Sequence, residues 1–369
     1  MPAADALPTA APGVDVLCVG LVCVDLLLEV PHHPAPDEKL RARSRLVAPG
    51  GPAAVAAAQI ARLGGCAAFA GLLGDEAADP FVALLRRAFA EEGIDTSALL
   101  SVPGFETPLS AILVKPDATR SVLSHRPAPP AHSQSLIDNF PRARVVLADG
   151  HRPEWTEALL AHAARDGAPL VLDAGSWSEA VRALAPHAAH LVASEACARS
   201  ALGALTAAEP CPADLADPAT APPDTLRAAL LAREDATLVV TLGPRGLVYH
   251  EPRDPVPAAN VRNTNIGPGG RVAAAGASEA PTRPTRPLGP LRRLPAHRID
   301  CVDTTGAGDA FHGAYALGLA RGLPLAEILR LASAAGALAC TRAGAWPALA
   351  RADELTRLPA LPPPPDRVP

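Results

Sequence analysis

Short apolar runs, each closed by a polar or glycine residue, punctuate the chain at Val16–Gly20, Val145–Asp149, Leu170–Asp173, His190–Ala193 and Thr237–Leu242. Runs of that length without polar alternation predict strands buried on both faces. Between them lie segments with helical character. Pro52–Leu63 has Pro in its first turn and Gly64 at its end, Pro80–Glu92 is amphipathic and stopped by Gly93, and Glu154–Ala164 and Arg321–Cys340 read likewise. Alternating β and α elements predict an α/β fold, a mostly parallel sheet covered on both faces, with ligands near the carboxyl ends of the strands.

Three stretches break the alternation. Pro31–Leu46 is rich in Pro and His, and its cations Lys39, Arg41, Arg43 and Arg45 stand two apart, the spacing of one face of a strand. Thr206–Pro223 is rich in Ala, Pro and Asp. Glu251 to about Arg298 is a Pro, Arg, Gly and Ala tract with hardly any apolar periodicity, and residues 254–293 read as a flexible insertion. Residues 1–12 and the Pro-rich 359–369 read as tails. No repeat of twenty to fifty residues stands out.

Composition narrows the function classes. With 369 residues, 49% of them hydrophobic, the chain can fill a sizeable core, and with aromatics at 3% that core must be built from Ala, Leu and Val. A formal charge of −5 argues against nucleic-acid or anionic-membrane partners and leaves a small molecule as the expected ligand. Seven cysteines include no C-x-x-C pair, so neither disulfides nor structural zinc are expected. The apolar run Val14–Val30 is interrupted by Asp15, Asp25 and Glu29, which fits neither a leader peptide nor a membrane span. A reducing cytoplasm is the expected location.

The run Asp303-Thr304-Thr305-Gly306-Ala307-Gly308-Asp309 carries the most chemistry. Gly306, Ala307 and Gly308 are small enough for a phosphate to approach their amides, and a helix beginning near Asp309 aims its positive end at that anion. Asp309 is then placed to accept the proton of an attacking hydroxyl while the amides form an anion hole. An isolated G-x-G-D is a turn with an N-capping Asp; the surrounding sequence decides otherwise.

The string DTTGAGDAFHGAYALGLARG resembles the C-terminal signature of the ribokinase-like (PfkB) carbohydrate kinases. Gly50-Gly51-Pro52-Ala53-Ala54-Val55, continued by Gly71-Leu72-Leu73-Gly74-Asp75, resembles the family's other signature. Together the two look most similar to the sulfofructose kinase branch. The resemblance implies a three-layer α/β/α domain over residues 13–358 with a small β lid from segments 31–48 and 107–126. It implies transfer of the ATP γ-phosphoryl group to a primary hydroxyl of a furanose-form sugar, with Mg²⁺, a monovalent cation such as K⁺ near Asp303 and the Thr341–Ala345 loop, and a homodimer formed through the lids. By the same resemblance Asp25, Gly50 and Gly51 bind the sugar, and Lys39 meets an anionic substituent such as the sulfonate of sulfofructose. Ser194, Glu195, Thr241, Gly243 and Gly246 meet the nucleotide. The family's N-x-x-E segment falls on Ser194-Glu195-Ala196-Cys197, where Cys197 is no hard-cation ligand, so the metal ligands are unknown. A nucleoside kinase is disfavoured by the shortage of lid aromatics, and a sugar-binding regulatory protein without catalysis by the retained Asp309.

Overall fold

In the computed structural model the described residues are 13–117, 119–128, 140–206, 217–252, 291–359 and 361. The first apolar run forms β1 (Val14–Val19), an interior strand of the larger sheet, which is parallel to β4 (Ala67–Leu73) on one side and β8 (Ala143–Ala148) on the other. Beyond β4 lies β5 (Asp95–Ser101). Beyond β8 follow β9 (Leu170–Ala174), β10 (His190–Ser194), β11 (Thr237–Thr241), β12 (Leu247–His250) and β13 (Arg292–Leu294). The last two strands are antiparallel and the rest parallel.

Alternation along β1 divides the core into two layers. Val16 and Cys18 face α1 (Pro52–Arg62), α2 (Phe81–Glu91), α7 (Ala307–Ala320) and α8 (Leu325–Ala339). Leu17 and Val19 face α3 (Thr156–Asp166), α4 (Glu179–Leu184), α5 (Glu195–Thr206) and α6 (Pro223–Ala229). The result is a three-layer α/β/α domain. Its alanine richness has a packing cause in α1, where Ala53 to Ile60 are all buried. A Cβ on Gly313 of α7 would come within 2.4 Å of the Ala56 carbonyl oxygen, so the two backbones meet at a distance only small residues permit.

A separate four-stranded sheet runs in the order β3-β2-β6-β7, with β2 (Cys23–Glu29), β3 (Ser44–Gly50), β6 (Leu109–Val114) and β7 (Arg120–His125). This is the expected small lid, but the strand foreseen across Pro31–Leu46 begins only at Ser44. Pro31, Pro34 and Pro36 lack ladder donors, and Asp37 adopts a φ of 64°, so the segment before Ser44 is a loop and Lys39, Arg41 and Arg43 do not share a strand face. Of the segment read as an insertion, 254–290 lies outside the described residues, as do both terminal stretches 1–12 and 362–369 and most of Thr206–Pro223. Its last three positions do not behave as an insertion. Leu291 is buried, Arg292 and Arg293 open β13, and Leu294 pairs with Leu247 of β12, because two leucines in register supply the apolar contact an edge strand needs.

Candidate active site

Asp303 fixes the loop that leads into α7. It is buried, and its Oδ1 accepts from the Thr305 amide at 2.9 Å and the Thr305 hydroxyl at 2.7 Å, while Oδ2 accepts from the Gly344 amide at 2.9 Å. One carboxylate thus joins this loop to the turn after α8. Gly306 is the N-cap of α7 with φ 79°, and a Cβ there would lie 2.6 Å from that of Ala345, so both conformation and space require glycine. Of the three amides foreseen as an anion hole, that of Ala307 donates to the Thr304 carbonyl at 3.3 Å. Among the described residues no backbone carbonyl takes the amides of Gly306 or Gly308, and the space beside the Gly308 Cα is open.

Asp309 follows in the first turn of α7, half-buried. Burial raises its proton affinity first and the neighbouring Asp173 next. His312 opposes the rise, Asp25 and Asp149 add to it, and the carboxyl is pushed up to about 7. These neighbours come from different strands: Asp149 stands directly after β8, Asp173 is the next-to-last residue of β9, and Asp25 lies on β2 of the lid sheet. Asp25 is 6% exposed and is itself pushed up to about 6 by burial, against the opposing Cys23 thiol and Ser110 hydroxyl. The Cys23 thiol donates to Asp25 Oδ1 at 3.4 Å. Gly50 leaves the room Asp25 occupies, since a Cβ there would sit 2.2 Å from Asp25 Oδ2. Gly51 precedes α1, and a Cβ on it would press on the Leu21 carbonyl oxygen at 2.4 Å. The structure thus brings Asp25, packed against Gly50, within electrostatic reach of Asp309 at the end of the Gly306–Gly308 turn.

The lid contributes cations that the sequence reading did not single out. Arg120 at the start of β7 donates to the Thr304 hydroxyl, and its charge acts on Asp25. Arg126, just past the end of β7, donates to His151 Nε2 at 2.8 Å, and His151 Nδ1 lies 3.2 Å from Asp149 Oδ1. Burial disfavours the His151 cation, but Asp149 overcomes that and raises its proton affinity. Asp149 in turn accepts from the amides of Leu21 and Ala53, tying the β1–β2 connection and the α1 N-terminus to β8. Lys39 is exposed in the loop before β3, and no described residue bonds to its ammonium. His125 pairs with Glu106 at 2.9 Å.

Ser194 and Thr241 are register partners at the carboxyl ends of β10 and β11, on the same sheet edge as Asp149 and Asp173. Ser194 Oγ donates to the Gly175 carbonyl at 2.9 Å and accepts from the Cys197 amide at 3.0 Å, which caps α5. Glu195 Oε1 meets Arg199 at 2.7 Å and Arg245 at 2.9 Å, and Arg199 leads in holding this carboxyl below its ordinary range. Cys197 is buried and its thiol is pushed up to about 12, which fits packing and not ligation. The two glycines of the following turn differ. Gly243, φ 57°, borders open space, whereas a Cβ on Gly246 would meet the Leu294 carbonyl oxygen at 2.1 Å, so Gly246 serves the packing of β13. Among the described residues no three His, Cys, Asp or Glu side chains gather as a metal cage.

The sequence profile described as "pfkB family carbohydrate kinase" matches residues 14–267 and 289–350. A probable fructokinase-4 from Arabidopsis thaliana is 28% identical over 321 residues, covering 84% of this chain and 87% of the relative. The crystal structure of a ribokinase from Thermotoga maritima superposes with a TM-score of 0.69 at 22% identity, over 93% of this chain and 98% of that one. An Arabidopsis thaliana ribokinase complexed with ribose and ATP gives a TM-score of 0.65 at 20% identity, over 94% and 98% of the two chains.

Proposed function

The chain belongs to the pfkB family of carbohydrate kinases, phosphotransferases that act on sugar hydroxyls, and we propose that ATP is its phosphoryl donor and Asp309 its general base. In this reading Asp309 takes the proton of a primary hydroxyl of a furanose-form sugar. The hydroxyl oxygen bonds to the γ-phosphorus as the bond to the β–γ bridging oxygen breaks, and ADP leaves. The free amides of Gly306 and Gly308, at the positive end of α7, stabilise charge on the transferred oxygens, and Ala307 shapes the turn between them. Asp25 accepts hydrogen bonds from ring hydroxyls, with Gly50 and Gly51 lining the ring. The single observation carrying the reading is the half-buried Asp309 whose carboxyl is raised to about 7 beside open helix-terminal amides.

The nucleotide lies along the carboxyl edge of β10 and β11, approached by Thr241 and Gly243, with Ser194, Glu195 and Gly246 shaping its cradle. A ribokinase of the same fold complexed with ribose and ATP supports ATP as the co-substrate. Magnesium would be held by the triphosphate and would neutralise its charge, and Asp303 with the Thr341–Ala345 loop would hold a monovalent cation. The enzyme works in the cytoplasm. Its acceptor is an anionic ketose of the sulfofructose type, a reading favoured by Arg120 and Arg126, which bring two guanidiniums from the lid toward Asp25 and His151, with Lys39 as a third cation on the lid loop. A guanidinium suits the planar recognition of sulfonate, phosphate or carboxylate.

A coupled ADP-release assay over fructose, ribose, sulfofructose, fructose phosphates and a nucleoside tests both levels. Turnover is expected on ketoses, with KM at least about tenfold lower for a charged one, in line with a charged hydrogen bond. Equal KM for charged and neutral ketoses contradicts the anionic acceptor, and release of ADP that no sugar accelerates contradicts the kinase.

A further inference from the structure

His312 lies one turn beyond Asp309 on α7, is 4% exposed, and has only oxygen acceptors around its ring. Its Nδ1 is 2.6 Å from the Gly308 carbonyl oxygen and 3.4 Å from Asp173 Oδ2, and its Nε2 is 3.2 Å from the Val192 carbonyl oxygen on β10. Carbonyl oxygens do not donate, so a ring satisfied at both nitrogens donates at both, and an imidazole that does so carries a positive charge. Asp173 is equally enclosed, at 4% exposure; burial raises its proton affinity, the facing His312 opposes that rise most, and among the described residues its Oδ2, 3.4 Å from His312 Nδ1, accepts no hydrogen bond.

We infer that Asp173 and His312 form a buried ion pair behind the active site, acting as positioning residues that set the charge environment in which Asp309 accepts its proton. The inference rests on the reading of Asp309 as the base. Two features make the pair more than a structural tie. His312 bonds to the carbonyl of Gly308, the residue whose amide faces the anion, so the ring fixes the turn as well as the charge. Of the other groups facing this space, Asp25 on β2 and Asp149 after β8 raise Asp309, and His151 after β8 opposes the rise at Asp173, so His312 is the group that opposes the rise at Asp309 itself. Arg120 and Arg126 stand farther out, against Thr304 and His151. A buried cation beside four carboxylates keeps Asp309 from holding its proton above neutral pH.

The test is the pH profile of kcat/KM, with ATP and the best acceptor, for the parent, His312→Asn and Asp173→Asn. Removing the cation should move the acid limb upward by about one pH unit or more. Removing the anion, which raises Asp309, should move it downward. A purely structural role would lower kcat in both variants and leave the limb in place, and that result overturns the inference. If neither variant folds, nitrogen NMR of the parent decides: two protonated ring nitrogens for His312 at pH 7 support the ion pair, and one unprotonated nitrogen overturns it. Asp309→Asn separates this from the underlying reading, because its full activity would remove Asp309 as base whatever the limbs of the other two do.

Discussion

Asp309 meets opposing demands, since a carboxyl raised to about 7 is suited to accept a proton in the working range and is costly to ionise inside the fold. A raised carboxyl contributes stability that is fully present below its unfolded value and is lost as pH rises through its folded one. Asp309→Asn should therefore melt higher than the parent at pH 8, with the difference shrinking toward pH 4, and thermal denaturation across that range measures it. A difference independent of pH would mean that Asp309 is not held in its acidic form by the fold. Asp309 itself was legible in the sequence because its helix start, glycines and carboxylate are contiguous. Asp149 and Asp173 were visible only as strand-ending acids, and His312 not at all, because their meaning comes from strands far apart in sequence that the sheet brings to one edge. Lys39 differs: its expected role comes from its position in the family pattern alone, and the structure shows it exposed on the loop before β3.

At the scale of elements, the strands and helices with continuous apolar runs or Pro and Gly boundaries were legible, from β1 to β11 and through α1 and α2. The exceptions were decided by backbone chemistry that a side-chain pattern hides. The period-two cations of Pro31–Leu46 suggested a strand, but prolines without donors prevent a ladder before Ser44. The short β13 lay inside a stretch of poor periodicity, and its strand is defined only by partners on β12. Lid register reveals a further feature. Val47, Leu26, Ala111 and Leu123 stand in one row across β3, β2, β6 and β7, and alternation puts them on the face opposite Asp25. Leu123 is 62% and Val47 39% exposed, an apolar sheet face of the kind that a second copy of the chain would cover in the homodimer through the lids that the family resemblance implies. Leu123→Glu should convert a dimer to a monomer in sedimentation at micromolar concentration while Asp309 and its surroundings stay intact. A parent that sediments as a monomer at every concentration contradicts the proposal.

The whole molecule places its chemistry where a parallel sheet and a second sheet converge: acids at the carboxyl ends of β8 and β9, the amides and base at the start of α7, and Asp25 reaching in from the lid. The three-layer architecture could be inferred from alternation alone, and membership in the pfkB family from two signatures at opposite ends of the chain. The acceptor could not, because it depends on which lid side chains turn inward, and neither Arg120 nor Arg126 lies in a signature. The proposed chemistry turns on Asp309 removing the acceptor proton. The most direct measurement compares parent and Asp309→Asn for ATP affinity by calorimetry and for turnover with the best sugar. Unchanged ATP affinity with turnover reduced by roughly 10²–10⁴-fold is the expected result, the usual contribution of a general base. Turnover within about threefold of the parent, against that same scale, would contradict it.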